Sequence, residues 1–337
     1  MRQSVTLPLS NNSFESIATL AGAADAAGFD TAFIYEVLRN PFTALALAAR
    51  ATDRIRLATG IAAAPTRTPF GMANSAADID EISGGRAVLG LGSASGFTAA
   101  CHGTTFDKPV TRMREYVTAV RAGWDYQYTK EPATVPGEFY GCEFPASPWL
   151  RENPRRQIPI YLTGIGPKMV QLGGEIADGV LGAFKTVEYM NDVVIPNVRI
   201  GAERGGRNLE DVDIASMVIT CVHPDRKEAI RRARIQVGVY TCFPPCDPVI
   251  KHHGLEREKQ AVLDAVAAKG FDALQDVTDD KLVDLFSIAG TPDECRAKAK
   301  EYADSLPHII FHTPYAPPML PEESAENVLN LCDTFGS

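Results

Sequence analysis

Apolar positions along the chain fall into short continuous runs that alternate with longer stretches of helical spacing, from the first residues to the last. Short apolar runs bounded by turn residues predict buried strands, and the i, i+3, i+4 recurrence predicts helices. The predicted strands are SVTLPL (4–9), TAFIY (31–35), IRLATGI (55–61), RAVLGLGS (86–93), IPIYLTG (158–164), GVLGAF (179–184), VDIASMVITCV (212–222) and PHIIFHT (307–313). Between and after them lie helical segments at 14–29, 41–52, 69–83, 111–126, 167–177, 187–204 and 321–334. Pro41 and Pro69 open two of these helices, and Gly28 and Gly84-Gly85 close two, as backbone chemistry at helix ends favours.

Two stretches break the rhythm. From 127 to 157 the periodicity lapses, punctuated by Pro132, Pro136, Pro145, Pro148 and Pro154. A helix-rich but weakly patterned block covers about 225–304. Eight strands, each followed by a helix, predict an α/β fold of the closed (β/α)8 TIM-barrel kind rather than an open sheet. No linker interrupts it, so residues 1–337 read as one domain with insertions at about 127–157 and 237–288.

Composition narrows the partners. The chain is 45% hydrophobic and 22% charged, ordinary for a protein with a large core. A net charge of −9 without a basic block argues against nucleic acid or an anionic membrane as the main partner, though not against a phosphorylated cofactor held by backbone amides; the expected partner is a small-molecule substrate. No apolar run approaches a membrane span and the N-terminus lacks a signal-peptide core. Seven scattered cysteines fit reduced thiols in the cytoplasm better than a disulfide framework.

In such a barrel, reactive groups sit where strands end and the following loops begin. The predicted strand ends carry Tyr35-Glu36, Gly60-Ile61-Ala62, Gly92 to Gly96, Thr163 to Gly166, Ala183-Phe184-Lys185 and His312. This rim is rich in glycine and poor in histidine and paired carboxylates, which suits a flat cofactor better than a hydrolytic dyad. Within TGIGPK, Gly164 and Gly166 allow close approach of an anion, Pro167 suits the first helical turn, and Lys168 lies nearby. Free N–H groups and the positive helix end would attract a phosphate there. GLGSASG (90–96) is a poor dinucleotide fingerprint, because its third glycine falls one residue late and the long insertion stands where the next strand with its acidic end should follow. Cys242 and Cys246 with His252-His253 lack the spacing of a standard zinc site, and adjacent Cys101-His102 cannot face each other as nucleophile and base; no metal is expected. The Arg112-Arg114-Arg121 and Arg231-Arg232-Arg234 clusters read as solvated helix faces.

The run TGIAAAPTRTPFGMANSAADIDEISGGRAVLGLGSA, together with IPIYLTGIGPKMVQLGGEIADGVL, resembles the paired signatures of the luciferase-like superfamily. The pattern is most similar to the coenzyme F420-dependent oxidoreductases, in their methylenetetrahydromethanopterin reductase-like branch. The resemblance covers nearly the whole chain and extends to the GEFYGCEFPASP insertion. It implies that Gly60-Ile61 is the family's bulged, non-proline cis peptide, supporting the middle ring of a deazaflavin with Ala62 beside it. It places Ser93-Ala94-Ser95 against the ring or ribityl chain. Thr163, Gly164, Ile165, Gly166 and Pro167, with Lys168, correspond to the phosphate turn already read from helix-end physics. The resemblance also implies a homodimer.

Departures leave the proton donor open. Relatives often follow the acidic residue after the second strand with a histidine, but here Val37 follows Glu36; where some carry a glutamate after the fourth strand, this chain has Gly96-Phe97-Thr98. Glu36 is the first candidate, since a partly desolvated carboxyl can have a raised pKa; pairing with Arg39 or Arg67 is its structural alternative. His312 is the second candidate, against a satisfied barrel-end histidine. The expected activity is F420-dependent hydride transfer between the deazaflavin C5 and an organic substrate. Aromatic residues of the insertions, Phe139, Tyr140, Tyr240 and Phe243, would pack on an apolar substrate or form the insertions' own cores. The alternatives are an FMN-dependent monooxygenase, a non-catalytic flavin-binding homologue, and a Schiff-base lyase using Lys185, whose bland reading is a surface or phosphate-contacting lysine.

Overall fold

In the computed structural model, which describes residues 1–150, 155–303 and 305–336, eight parallel strands close into a barrel. They are β1 (Arg2–Leu7), β2 (Thr31–Ile34), β3 (Arg56–Thr59), β4 (Ala87–Gly92), β5 (Ile160–Thr163), β6 (Gly179–Leu181), β7 (Asp213–Val222) and β8 (His308–His312). Closure is visible in the register: β8 pairs Arg2 with His308 on one side and Ala215 with His308 on the other, while β6 joins β7 at Gly179 and Asp213. The principal helices, one after each strand, are α1 (Phe14–Ala26), α2 (Pro41–Arg50), α3 (Pro69–Ile82), α4 (Pro109–Thr129), α5 (Pro167–Ile176), α6 (Ile195–Arg204), α7 (Arg226–Cys242) and α8 (Pro321–Phe335).

Alternation along each strand sorts side chains into two cores. Inside the barrel, Phe33, Val88, Tyr161, Leu181, Met217 and Ile310 pack on one another. Outward-facing residues such as Val5, Ile34, Leu57 and Leu89 join the larger layer under the helices. At the strand starts, Asp213 accepts from the Tyr161 hydroxyl at 2.5 Å and contacts His308 Nδ1 at 2.8 Å, while Arg2 pairs with the same carboxylate. That end of a barrel serves stability, which leaves the opposite end for chemistry.

Several boundaries differ from the sequence reading for local reasons. β1 starts at Arg2 and stops at Leu7 instead of Leu9, because Pro8 has no N–H for the ladder. β6 stops at Leu181 instead of Phe184, and Phe184 turns the chain with a φ of 61°. α4 continues to Thr129, past the expected break at 127, and an antiparallel hairpin of Ala133–Val135 and Cys142–Phe144 follows. Pro154, one of the prolines that marked this segment, lies outside the described residues. α7 runs through 237 to Cys242, and four shorter helices then span Asp247 to Phe286. The strand Ser287–Gly290, parallel to Ile219–Val222, was not foreseen, because four residues (SIAG) are too few for a period to register. No helix of the described residues is long and apolar enough to cross a membrane.

Candidate active site at the open end of the barrel

β3 ends at Thr59, and, one residue on, the Gly60–Ile61 peptide bond is cis, as the resemblance implied. The chain then rejoins the sheet, pairing Ala62 with Leu91 and Ala63 with Gly92. A Cβ at position 60 would stand 2.8 Å from Met217 Cε and 2.9 Å from Phe33 Cβ, so only glycine fits against the barrel interior there.

Glu36 holds this segment. Its backbone N–H donates to Ile61 O at 3.0 Å, and its Oε2 accepts from Ala63 N–H at 2.8 Å. Arg67 Nη1 reaches both carboxylate oxygens, at 2.8 and 2.9 Å, and the pair is mostly buried. The expected alternative partner, Arg39, instead donates to the Leu9 and Asn12 carbonyls and lies over the Phe14 ring. Both carboxylate oxygens are thus engaged, by the Arg67 guanidinium and the Ala63 N–H, so the side chain is tied into the 60–67 segment. Arg67→Met would leave a mostly buried carboxylate uncompensated. We expect it to lower stability by about 2 kcal/mol in urea unfolding, with most of the loss recovered on adding Glu36→Gln.

Three strand ends converge next to this segment. Gly92 closes β4, and a Cβ there would lie 2.6 Å from Thr163 Cγ2 and 2.9 Å from Ile61 Cδ1. Ile61, Gly92 and Thr163 are therefore contiguous. Ser93, Ala94 and Ser95 follow, all half-buried, with Ala94 in the left-handed region at φ 59° and Ser95 capping a short helix (Gly96–Cys101) through Thr98 N–H. A cleft beside Ser93 is lined by Ala64, Pro65, Arg112 and Tyr140.

Beyond Thr163, Gly164 lies close against α5, where a Cβ would be 3.0 Å from Val170 N. Gly166 is the N-cap of α5, and no side chain caps that end. A Cβ on Gly166 would meet nothing within 4 Å, so the first turn, with Pro167 and Lys168 exposed, is open.

Lys185 departs from its bland reading. It is buried, 3% exposed, and its Nζ has no hydrogen-bond partner among the described residues. Burial pushes its pKa down to about 7. A Cβ on Gly182 would be 2.6 Å from Lys185 Nζ and 3.1 Å from Gly164 O, so the amine and the Thr163–Gly166 turn flank the same glycine.

His312 stands apart, between β1, β2 and the helical insertion. Its Nδ1 lies 3.1 Å from Thr6 Oγ1 and its Nε2 3.1 Å from the Tyr240 hydroxyl, with Tyr35 and Tyr315 edge-on to the ring. Burial pushes its pKa down to about 4, so at neutral pH the ring is uncharged and both nitrogens are partnered. It is the satisfied barrel-end histidine of the alternative reading, and holds no proton to donate as an imidazolium at pH 7. Of the insertion aromatics, Tyr240 stacks on Phe184, Tyr140 packs edge-on to Tyr116, and Arg112 covers Phe139, while Phe243 is exposed.

The structure thus gathers Gly60, Ile61, Ala62, Ser93 and Thr163 along adjacent strand ends, with the α5 turn beyond them. A model of the luciferase-like monooxygenase family matches residues 1–308. The chain belongs to that family. Among its luciferase-like relatives, the 5,10-methylenetetrahydromethanopterin reductase of Methanolobus tindarius is 32% identical over 312 residues, covering 89% of this chain and 91% of its own. The solved structure of the coenzyme F420-dependent tetrahydromethanopterin reductase from Methanopyrus kandleri superposes with a TM-score of 0.85 at 25% identity, over 99% of this chain and 97% of that one. An F420-dependent secondary alcohol dehydrogenase, solved with an F420–acetone adduct, shares the fold at a TM-score of 0.78 and 18% identity, over 99% and 97%. This luciferase-like chain is accordingly an oxidoreductase on a (β/α)8 barrel. The feature that the sequence reading set aside is Lys185 as a buried group. A signal was present, since the lysine ends an uncharged run, GVLGAF, that forms a barrel strand and its exit.

Proposed function

We propose that the chain is an F420-dependent oxidoreductase that passes a hydride between the deazaflavin and an organic small molecule. The observation that carries this reading is the uncapped α5 N-terminus at Gly166, open to solvent and flanked by the contiguous Ile61, Gly92 and Thr163. Glycines at 60, 92 and 164, where any Cβ would press on neighbouring protein atoms, let these strand ends and the α5 turn pack closely at the barrel mouth, and a backbone-rich rim of that kind suits a flat, phosphate-bearing cofactor. When bound, the deazaflavin supplies the hydride-accepting and hydride-donating carbon; the protein supplies binding and orientation. In this reading Thr163, Gly164, Ile165, Gly166, Pro167 and Lys168 hold the phosphate. Gly60, Ile61 and Ala62 support one ring face, and Ser93, Ala94 and Ser95 meet its polar edge. Glu36 braces the 60–63 segment, and His312 anchors the insertion through Tyr240. Residues 1–337 act as one domain whose two insertions shape the substrate pocket, in a cytoplasmic homodimer.

Titrating the purified protein with oxidised F420 and, separately, with FMN tests the cofactor. Saturable F420 binding, with FMN binding much weaker, is the expected result. Tight FMN binding without F420 binding would replace the reading by a flavin monooxygenase. If neither cofactor is reoxidised by any of a broad substrate panel, the reading becomes a non-catalytic binding protein. Lys185 favours one reading of another class, a Schiff-base lyase, because its amine is buried, unpartnered and substantially uncharged near pH 7. Borohydride trapping of a carbonyl compound on Lys185 would support it.

A further inference from the structure

We propose that Glu188, His252 and His253 form a binding site for a divalent transition-metal ion, zinc by its ligand set, which ties the helical insertion to the barrel rim just beyond Lys185. Nothing in the hydride-transfer reading uses these residues.

Two segments meet there. After β6 the chain forms a helical turn (Val187–Tyr189) and then a wider, π-helical turn (Met190–Val194), so Glu188 and Asp192, four residues apart, share a face. Opposite them the insertion's short helix Asp247–His252 ends, with His253 as its cap. Glu188 Oε1 lies 3.8 Å from His252 Nε2, and Glu188 Oε2 lies 3.7 Å from His253 Nδ1. Asp192 Oδ2 is 3.5 Å from the same His252 nitrogen. Three ligand atoms, one each from Glu188, His252 and His253, lie within 4.8 Å of one another.

These separations are long for good hydrogen bonds. They are close to the edge of a coordination tetrahedron: metal–ligand bonds of about 2.0–2.1 Å place ligand atoms roughly 3.4 Å apart. His252 Nε2 is buried and has no hydrogen-bond partner among the described residues. His253 Nε2 is 2.8 Å from Thr186 Oγ1, and that oxygen also accepts from Tyr189 N–H at 3.1 Å. A ring that donates from Nε2 presents the Nδ1 lone pair to the Glu188 carboxylate. Two electron-pair donors then face each other, an arrangement that a cation between them makes favourable. A hydroxyl holding the far nitrogen is also the outer partner that metal-bound imidazoles commonly keep.

The donor set is two imidazole nitrogens and a carboxylate, and Asp192, near His252 alone, lies outside that three-residue cluster. The set suits zinc over the all-oxygen sites of magnesium or calcium. The cluster found among the described residues does not include Cys242 or Cys246, although these thiols precede the histidines in sequence. Mechanically the ion would fix the insertion. His253 packs edge-on to Phe286, which stacks on Phe184 at 3.9 Å between ring centroids, next in sequence to Lys185.

The test is zinc titration calorimetry on the full-length protein after EDTA treatment, with cobalt absorption spectra as the geometric probe. The expected result is one ion per chain and a tetrahedral cobalt spectrum. Glu188→Gln, an exposed change that spares the fold, and His253→Ala should each weaken zinc at least 100-fold. Thr186→Val, acting through His253, should weaken it about tenfold, and the Cys242→Ser and Cys246→Ser pair should leave it unchanged. The proposal is overturned if wild-type protein shows no saturable zinc binding. It is equally overturned if binding survives both Glu188→Gln and His253→Ala, or disappears with the cysteine changes.

Discussion

Gly166→Asp is expected to weaken cofactor binding at least about 100-fold while leaving the protein as stable as before. Position 166 has N-cap geometry, with φ −76° and ψ 154°, which any L-residue adopts, and its Cβ would meet nothing within 4 Å. An aspartate there would direct its carboxylate to the amides of the first turn of α5, as N-cap aspartates do, and change helix stability by only about a few tenths of a kcal/mol relative to glycine. Those are the same N–H groups proposed to hold the phosphate, so the new carboxylate competes for them and repels the phosphate charge. A 100-fold loss corresponds to about 2.7 kcal/mol, within reach of two anions a few ångströms apart at a protein surface. Fluorescence titration with F420 beside a thermal melt measures both halves. Gly166→Ala serves as control and should bind nearly as well as the parent. Unchanged affinity in Gly166→Asp would remove the phosphate from this turn, and with it the observation on which the functional proposal rests.

The second large effect concerns Lys185 and is read as stability. The unfolded chain keeps this amine protonated up to its ordinary pKa of 10.5, whereas the buried amine loses its proton at about 7. Between those values the unfolded state binds more protons, so folding stability rises as pH goes from 7 to 10.5. Below 7 both states are protonated and the burial penalty is present in full. At pH 7 the mismatch costs on the order of 4 kcal/mol. Lys185→Met keeps an unbranched chain of similar length and removes the charge. It should stabilise the protein by roughly 3–4 kcal/mol at pH 7 and much less at pH 10. Urea unfolding of both proteins at the two pH values checks this, since the lysine's share of the rise should vanish from the variant. Should the variant prove no more stable than the parent at pH 7, the amine has a partner or water in solution. Its candidacy as a neutral nucleophile would then end.

The two positions differ in how visible they were along the chain. Gly166 was legible because helix-end chemistry is local: two glycines, a proline and a following apolar period suffice to predict an uncapped helix start. Lys185 was seen as the last residue of a strand exit, yet its burial depends on Gly182, on the turn at Phe184 and on the Gly164 carbonyl from the neighbouring strand. No window of sequence contains that environment. Glu36 shows the same divide. Its place after β2 was readable, but the choice between Arg39 and Arg67 was settled by the path of the 60–67 segment, 31 residues away for the partner it found. His312 finds Thr6 across the seam where the last strand meets the first, a contact 306 residues long in sequence.

Alternating apolar runs and helical periods, with proline and glycine at element ends, were enough to order eight strands and their helices, because those preferences act within a few residues. The long signature runs were enough to recognise the superfamily. Barrel closure did the rest: it brought Ile61, Gly92 and Thr163 into contact, paired Glu36 with Arg67, and enclosed Lys185 and His312. Charge state and partner choice follow desolvation and distance in three dimensions, and those quantities come into being only when distant strands pack side by side.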